Sequence, residues 1–277
     1  MIRFRFLTLA ALAMSGGLAQ AQLALPGAPG ATPAPQQNAS APDAAGEASK
    51  PRKADKPATP VPSARRLADR PLALNGNQGQ LVFSDRDKTL RIEKLSLAGE
   101  VISEPARKCV IDIVGEAPIE TKSLGRPDGL ARYEAEIPAC TFTFDVLDGA
   151  VLAPAQETAC VFKAADCQAT PAGLWGPDPS TLHSDAKAIS RQRSRAEAGA
   201  ERALKAIHTR LKDPAKNDAI THEDADLASR RDEICRGYLD EAVYSFCAAR
   251  MAEARAALLK ARLAALDRKA AKDTPKD

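Results

Sequence analysis

Two periodicities divide this chain. From 72 to 170 apolar side chains recur at every second position, and from 180 to 268 they recur every three or four, so a β-rich region precedes a helical one. In the first region Leu81, Val82 and Phe83, then Leu90 with Ile92, then Leu95 with Leu97 read as short strands. The apolar phase slips at Glu93 and Lys94, which predicts a β-bulge there. Cys109, Ile111 and Ile113 alternate with Val110, Asp112 and Val114; Tyr133, Ala135 and Ile137 form a further strand. Phe142, Phe144 and Val146 continue the phase of Cys140. Turn signals separate these runs, from Gly125 to Gly129 and at Asp148-Gly149. Short strands at this spacing predict a small antiparallel β-sandwich or barrel.

The helical region predicts three helices. Over 180–212 Leu182, Ile189, Ala196 and Ala203 recur every seven residues, flanked by Ala200, Leu204, Ile207 and Leu211. Ser180 stands at the N-cap position and Asp213-Pro214 at the stop. Thr221, His222, Glu223 and Asp224 resemble a capping box, expected to open the helix that carries Leu227, Ile234 and Cys235. The last helix is expected from 241 to 268, with Val243, Tyr244, Cys247, Met251, Leu258, Leu259, Leu263, Ala265 and Leu266 on its apolar side. A Pro/Gly-rich joint at 171–179 holds the single tryptophan, Trp175. It is read either as an anchor for a sugar or protein partner or as packing between the two regions. Fold class is therefore α+β, a small antiparallel β-sandwich or barrel followed by a disulfide-stapled three-helix array.

The ends change the picture of where the chain works. Residues 1–21 carry Arg3 and Arg5, an apolar run and small residues ending at Ala21, the pattern of a secretory signal peptide. That run is too short for a stable bilayer span. Residues 22–71 are rich in Ala and Pro and poor in large apolar side chains, so a disordered linker is expected; 269–277 is a polar tail. The expected compartment is the periplasm or the exterior.

Six cysteines lie beyond the leader: Cys109, Cys140, Cys160, Cys167, Cys235 and Cys247. In an oxidising compartment an even count reads as disulfides. Cys235 and Cys247 stand twelve positions apart, about 18 Å along one helix at about 1.5 Å per residue. Either they are not joined to each other or the chain turns back between them. Gly237 and the acidic start at Asp240 and Glu241 favour the turn. If pairs do not cross between regions, three connectivities remain; the expected set is Cys109 with Cys140, Cys160 with Cys167, and Cys235 with Cys247. Zinc is the weaker reading, since no C-x2-C pair and no matching histidine is present.

Charge narrows the partners. Residues 22–71 carry 7 basic and 4 acidic side chains, 72–178 carry 10 and 16, and 179–277 carry 20 and 16. The β region is thus the acidic part. Aromatics make up 4% of the chain and the helical charges alternate in sign, unlike a nucleic-acid binder with a basic face and stacking platforms. His183-Ser184-Asp185 suggests a triad only in sequence, since triads are built from geometry. His222-Glu223-Asp224 reads as a helix start, and His208 has no second ligand in view. No nucleophile elbow, zinc-protease helix or phosphate loop is present, so no catalytic residue, metal or cofactor is assigned.

Arg231, Asp232, Glu233, Ile234 and Cys235, followed after eleven residues by Cys247, Ala248, Ala249 and Arg250, and then by Arg255 and Leu258, form the most distinctive pattern in the chain. Over about 190–266 it resembles the second half of the lysozyme-inhibitor LprI-like N-terminal domain family. The resemblance implies a small exported helical domain in which an Arg-Asp-x-x-Cys helix end and a Cys-initiated helix share a disulfide. The chain departs from the family at its front, where an early cysteine pair is expected. The expected function is non-catalytic binding of a protein or cell-wall partner in the envelope, with lysozyme inhibition as its sharpest form. Arg231 and Asp232 are candidate contacts or an exposed helix-end ion pair, and the acidic β region is the surface for a cationic enzyme. The competing readings are an enzyme acting on envelope polymer through two carboxylates and an assembly factor that pairs through its helices.

Overall fold

The computed structural model describes residues 66–86 and 89–273. The expected leader (1–21), the linker as far as 65, and 274–277 of the tail lie outside the described residues.

The described residues form eleven antiparallel strands: β1 (Leu72–Leu74), β2 (Gln78–Arg86), β3 (Thr89–Val101), β4 (Lys108–Asp112), β5 (Ile119–Gly125), β6 (Ala131–Ala135), β7 (Phe142–Leu147), β8 (Ala150–Ala153), β9 (Cys160–Phe162), β10 (Cys167–Ala169) and β11 (Gly173–Gly176). Eight of them close a barrel in the order β1-β2-β3-β5-β6-β7-β8-β11, because β11 pairs with both β8 and β1. β4 and the β9–β10 hairpin attach to the end of β3 beyond the ring. The register confirms the bulge: Val82 faces Lys94 and Phe83 faces Ile92, leaving Glu93 as the extra residue, its carboxylate hydrogen-bonded by Ser84 Oγ.

The inward phase fills the barrel with Phe83, Ile92, Leu95, Leu97, Phe144, Val151 and Trp175. Leu67 is fully buried in the same core, and the Asp69 amide donates to Phe83 O. The packed domain therefore starts before 72: a single leucine seated against the barrel extends it into the Ala/Pro-rich segment. The joint at 171–179 is corrected likewise. Its residues 173–176 are β11, with Trp175 inward and Leu174 outward.

The outward phase of the same strands receives the helices. Leu147, Ala150 and Leu174 pack against Leu182, Ile189, Tyr238, Phe246 and Met251 in a second core. Gly176 lets this contact close, since a Cβ there would stand 2.3 Å from Tyr238 Oη. Asp178 accepts from Ser180 N at 2.8 Å and caps a 3-10 turn, taking the role expected of Ser180. After a second 3-10 turn comes α1 (Ala186–Arg210), then α2 (Pro214–Arg236), the one-turn α3 (Glu241–Tyr244) and α4 (Phe246–Asp273). Asp213 accepts from Ala215 N ahead of Pro214, so α2 starts about two turns before the expected capping box. Thr221 lies inside the helix and bonds Asn217 O instead. A proline at the first helical position with an Asp cap outcompetes a weaker start further on.

The expected last helix is broken at Ser245, which has φ 52°. Val243 is consequently off the apolar side of α4 and 68% exposed. Glu241 bridges the break: its carboxylate accepts from Cys247 N and Ala248 N at 2.8 and 2.9 Å, satisfying the start of α4. Burial pushes this carboxyl above its ordinary range, the two amides pulling it back. A carboxyl raised on folding contributes stability that is lost as pH rises through its folded pKa. Glu241→Gln removes that loss, so the stability of the wild type relative to the variant falls between acidic and neutral pH. Urea unfolding at both pH values measures it, and an unchanged difference would contradict the assignment.

All six cysteines are paired: Cys109–Cys167, Cys140–Cys160 and Cys235–Cys247, with Cα atoms 6.0, 5.0 and 5.5 Å apart. The helical pair is the expected one, made by the turn back through Gly237 and α3. The expected Cys109–Cys140 and Cys160–Cys167 pairs are corrected. In the β9–β10 hairpin Cys160 faces Ala169 and Cys167 faces Phe162, a diagonal relation of about 7–8 Å, too long for a disulfide. The hairpin instead ties Cys167 to β4 and Cys160 to the β6–β7 loop.

Candidate functional site

The candidate residues occupy three places, of which two are structural. Trp175, one of the candidate partner contacts, is 1% exposed inside the barrel, with Nε1 donating to Pro171 O at 2.8 Å. An indole with its ring enclosed and its donor used presents nothing to a partner, so that contact reading is corrected. The seam between barrel and helices is organised by Arg250 of α4, 2% exposed. Its Nη1 donates to Asp148 O at 2.7 Å and Glu253 Oε2 at 3.0 Å, its Nη2 donates to Gln192 Oε1 at 2.6 Å, and its guanidinium lies 5.1 Å from the Phe246 ring centroid. Asp148, in the β7–β8 turn, also pairs with Arg66 at 3.0 Å. One cation thus joins a barrel turn to two helices. Burial raises the Glu253 carboxyl and Arg250 opposes the shift.

Arg231 and Asp232 lie on α2, where Arg231 Nε and Nη2 donate to Asp232 Oδ1 at 2.9 and 2.7 Å. The pair is exposed, Asp232 at 64% of its side chain, which limits its energetic weight. Arg231 also borders a cleft of about 300 Å³ between α1, α2 and α4. Across that cleft Arg255 reaches Asp224 at 2.6 and 2.8 Å and Glu201 at 3.2 Å. Cys235 is the only buried residue of α2, so the disulfide and these ion pairs hold the helix more than apolar packing does.

The third place is one end of the barrel. β5 begins there, β6 ends, β7 begins and β8 ends, as the pairings Thr121 with Ala135, Ala135 with Phe142 and Asp145 with Leu152 require. The loops spanning 113–118, 136–141 and 154–159 therefore gather at this end. They contain Glu116, Glu136 and Glu157 and no Lys or Arg. All three glutamates are exposed, and among the described residues none makes an ion pair. Cys140–Cys160 and the Gln156 Nε2 bond to Thr141 O at 3.0 Å tie two of the loops together. Sequence reasoning found the acidity of the β region but not its focus, because these glutamates are about twenty residues apart and only strand order collects them.

The more enclosed carboxylates each have partners. Asp145 is buried against Arg132, which donates from Nε at 2.7 Å and Nη2 at 2.9 Å. Glu241 and Glu253, the carboxyls raised by burial, are held by the α4 amides and by Arg250. His183 and His222 are exposed, and His208 Nδ1 lies 2.8 Å from Asn217 Oδ1. Among the described residues no three His, Cys, Asp or Glu side chains converge on a metal position, and no helix is long and apolar enough to cross a membrane. No protein-family model, curated protein or solved structure matches this chain.

Proposed function

We propose that this is an exported, non-catalytic protein that binds a cationic protein partner of the cell envelope through the acidic end of its barrel, lysozyme being the sharpest form of that partner. The observation that carries the reading is the gathering of Glu116, Glu136 and Glu157 on three loops free of Lys and Arg, two of them tied by Cys140–Cys160. Unpaired carboxylates on a rigid rim attract a basic cleft and lose little conformational entropy on meeting it. Three disulfides support an oxidising compartment. The likeness of the Arg231 to Leu258 pattern to an exported inhibitor domain supports the same place and partner class.

The test is lysozyme turnover of cell-wall substrate with and without the purified, oxidised chain. Inhibition is expected, weakening with salt and lost by about tenfold or more in the Glu116→Gln, Glu136→Gln, Glu157→Gln triple variant, whose exposed substitutions leave the fold intact. No inhibition at a large molar excess would sink the lysozyme form. Inhibition equal in the triple variant would sink the acidic end as its seat.

A further inference from the structure

We propose that β4 is a pairing edge through which two copies of this chain join their sheets, antiparallel and centred on Val110. β4 pairs with β3 and with no second strand among the described residues, and Val110 at its middle is 69% exposed. The hydrogen-bond phase decides which backbone groups are left over. Val101 N donates to Arg107 O at 2.9 Å and Ile113 N to Leu95 O at 2.8 Å. Both contacts belong to the register that sets Gly99 opposite Cys109 and Leu97 opposite Ile111, so Cys109 and Ile111 direct their N–H and C=O groups at β3. Those of Lys108, Val110 and Asp112 turn the other way, to the free edge. The side chains of the same three residues occupy the exposed phase of the strand, while Ile111 packs against the barrel core and Cys109 is tied to Cys167.

The sequence of this edge is complementary to itself. When a second β4 lies antiparallel with Val110 opposite Val110, Lys108 of each copy faces Asp112 of the other, the reciprocal relation a two-fold interface requires. All three facing positions are then hydrogen-bonded pairs, which exchange both N–H and C=O groups. On the exposed face the two valines meet, flanked on each side by an opposite-charge pair. Parallel pairing in the same register would set lysine against lysine and aspartate against aspartate, and an antiparallel slip of two residues would set a charge against Val110. Charge therefore selects both orientation and register. The Asp112 carboxylate is exposed and makes no ion pair among the described residues. Lys108 Nζ donates to Glu100 Oε1 at 2.8 Å within its own copy, and an ammonium has two further protons for a second carboxylate. Devices that keep an edge single are missing: β4 contains no proline, and its register with β3 runs without a shift. The edge is also fixed in advance. Cys109–Cys167 ties β4 to β10 across β3, where Gly99 is so enclosed that a Cβ would stand 2.0 Å from Gln168 O. A strand held this way loses little conformational freedom on pairing.

The test is analytical sedimentation of the full oxidised chain up to about 0.2 mM, a range chosen because a short edge contact belongs with the weak interfaces. Amide hydrogen exchange at low and high concentration accompanies it. A monomer–dimer equilibrium is expected, with the amides of Lys108, Val110 and Asp112 protected only as dimer forms and those of Cys109, Ile111 and Ile113 protected throughout. Val110→Pro should abolish the dimer. It removes an N–H that faces solvent in the single copy, so the unfolding midpoint should change little. Asp112→Lys and Lys108→Asp should each weaken self-association by about tenfold or more, since like charges then face one another. Mixed, the two variants should associate, because each supplies the charge the other lacks. A monomer at every concentration would overturn the proposal, as would a dimer that leaves these three amides unprotected or a mixture no better associated than its components. Protection of the three amides independent of concentration would overturn it too, since the edge would then be covered by the chain's own residues. None of these readouts involves lysozyme, so they stand or fall apart from the binding proposed above.

Discussion

Arg250→Met should destabilise the protein by about 3–5 kcal/mol, the range found when one partner of a buried charge pair is removed. Methionine keeps the length and the contact with the Phe246 ring, so packing loss is small. What disappears is the donor set. Asp148 O, Gln192 Oε1 and the Glu253 carboxylate, whose side chain is 25% exposed, lose their common partner. Urea unfolding at neutral pH measures the loss. Lowering the pH should return part of it, since a protonated Glu253 no longer stands as an uncompensated charge. A loss under about 1 kcal/mol would show that solvent replaces the guanidinium and that the seam is not dry.

Trp175→Ala should cost a comparable amount, about 3–5 kcal/mol for an aromatic core residue. The ring lies on β11, which closes the barrel between β8 and β1, so the cavity opens at the point where the ring of strands is joined. Thermal unfolding followed by circular dichroism gives the size of the effect. If the proposed lysozyme inhibition is found, its strength, measured well below the lowered midpoint, should be unchanged in the variant because the Trp175 ring is enclosed in the barrel. Retained stability with lost inhibition would instead restore the tryptophan as a contact.

Much of the barrel was legible because its strands are half-buried and announce their inward phase. Phe83, Ile92, Leu95, Phe144 and Val146 all point where alternation places them, and the phase slip at Glu93 is the bulge. β11 was not legible. Its four residues sit among prolines and glycines, and the partners that make them a strand are β8 and, at the other end of the region, β1. Disulfide pairing failed for a related reason: nearness in sequence suggested Cys160 with Cys167, whereas hairpin register sets them diagonally. The helices followed their seven-residue recurrence, but two 3-10 turns delay α1 to Ala186, Asp213-Pro214 starts α2 early, and Ser245 cuts the last one. The candidate sites were the least visible.

The junction of β1 with β11 also sets an order of assembly. Leu74 meets Trp175 across about a hundred residues, a separation that makes ring closure slow compared with local hairpin formation. During synthesis or translocation β2 and β3 can pair at once, but β1 cannot complete the ring until residue 176 has emerged, and the outward leucines of β7, β8 and β11 stay uncovered until α4 follows. For that interval the chain carries an unsatisfied strand edge and an exposed apolar flank, the features that invite association between nascent copies. A chain truncated before α4 should therefore be recovered mainly as aggregate, even though its barrel sequence is complete.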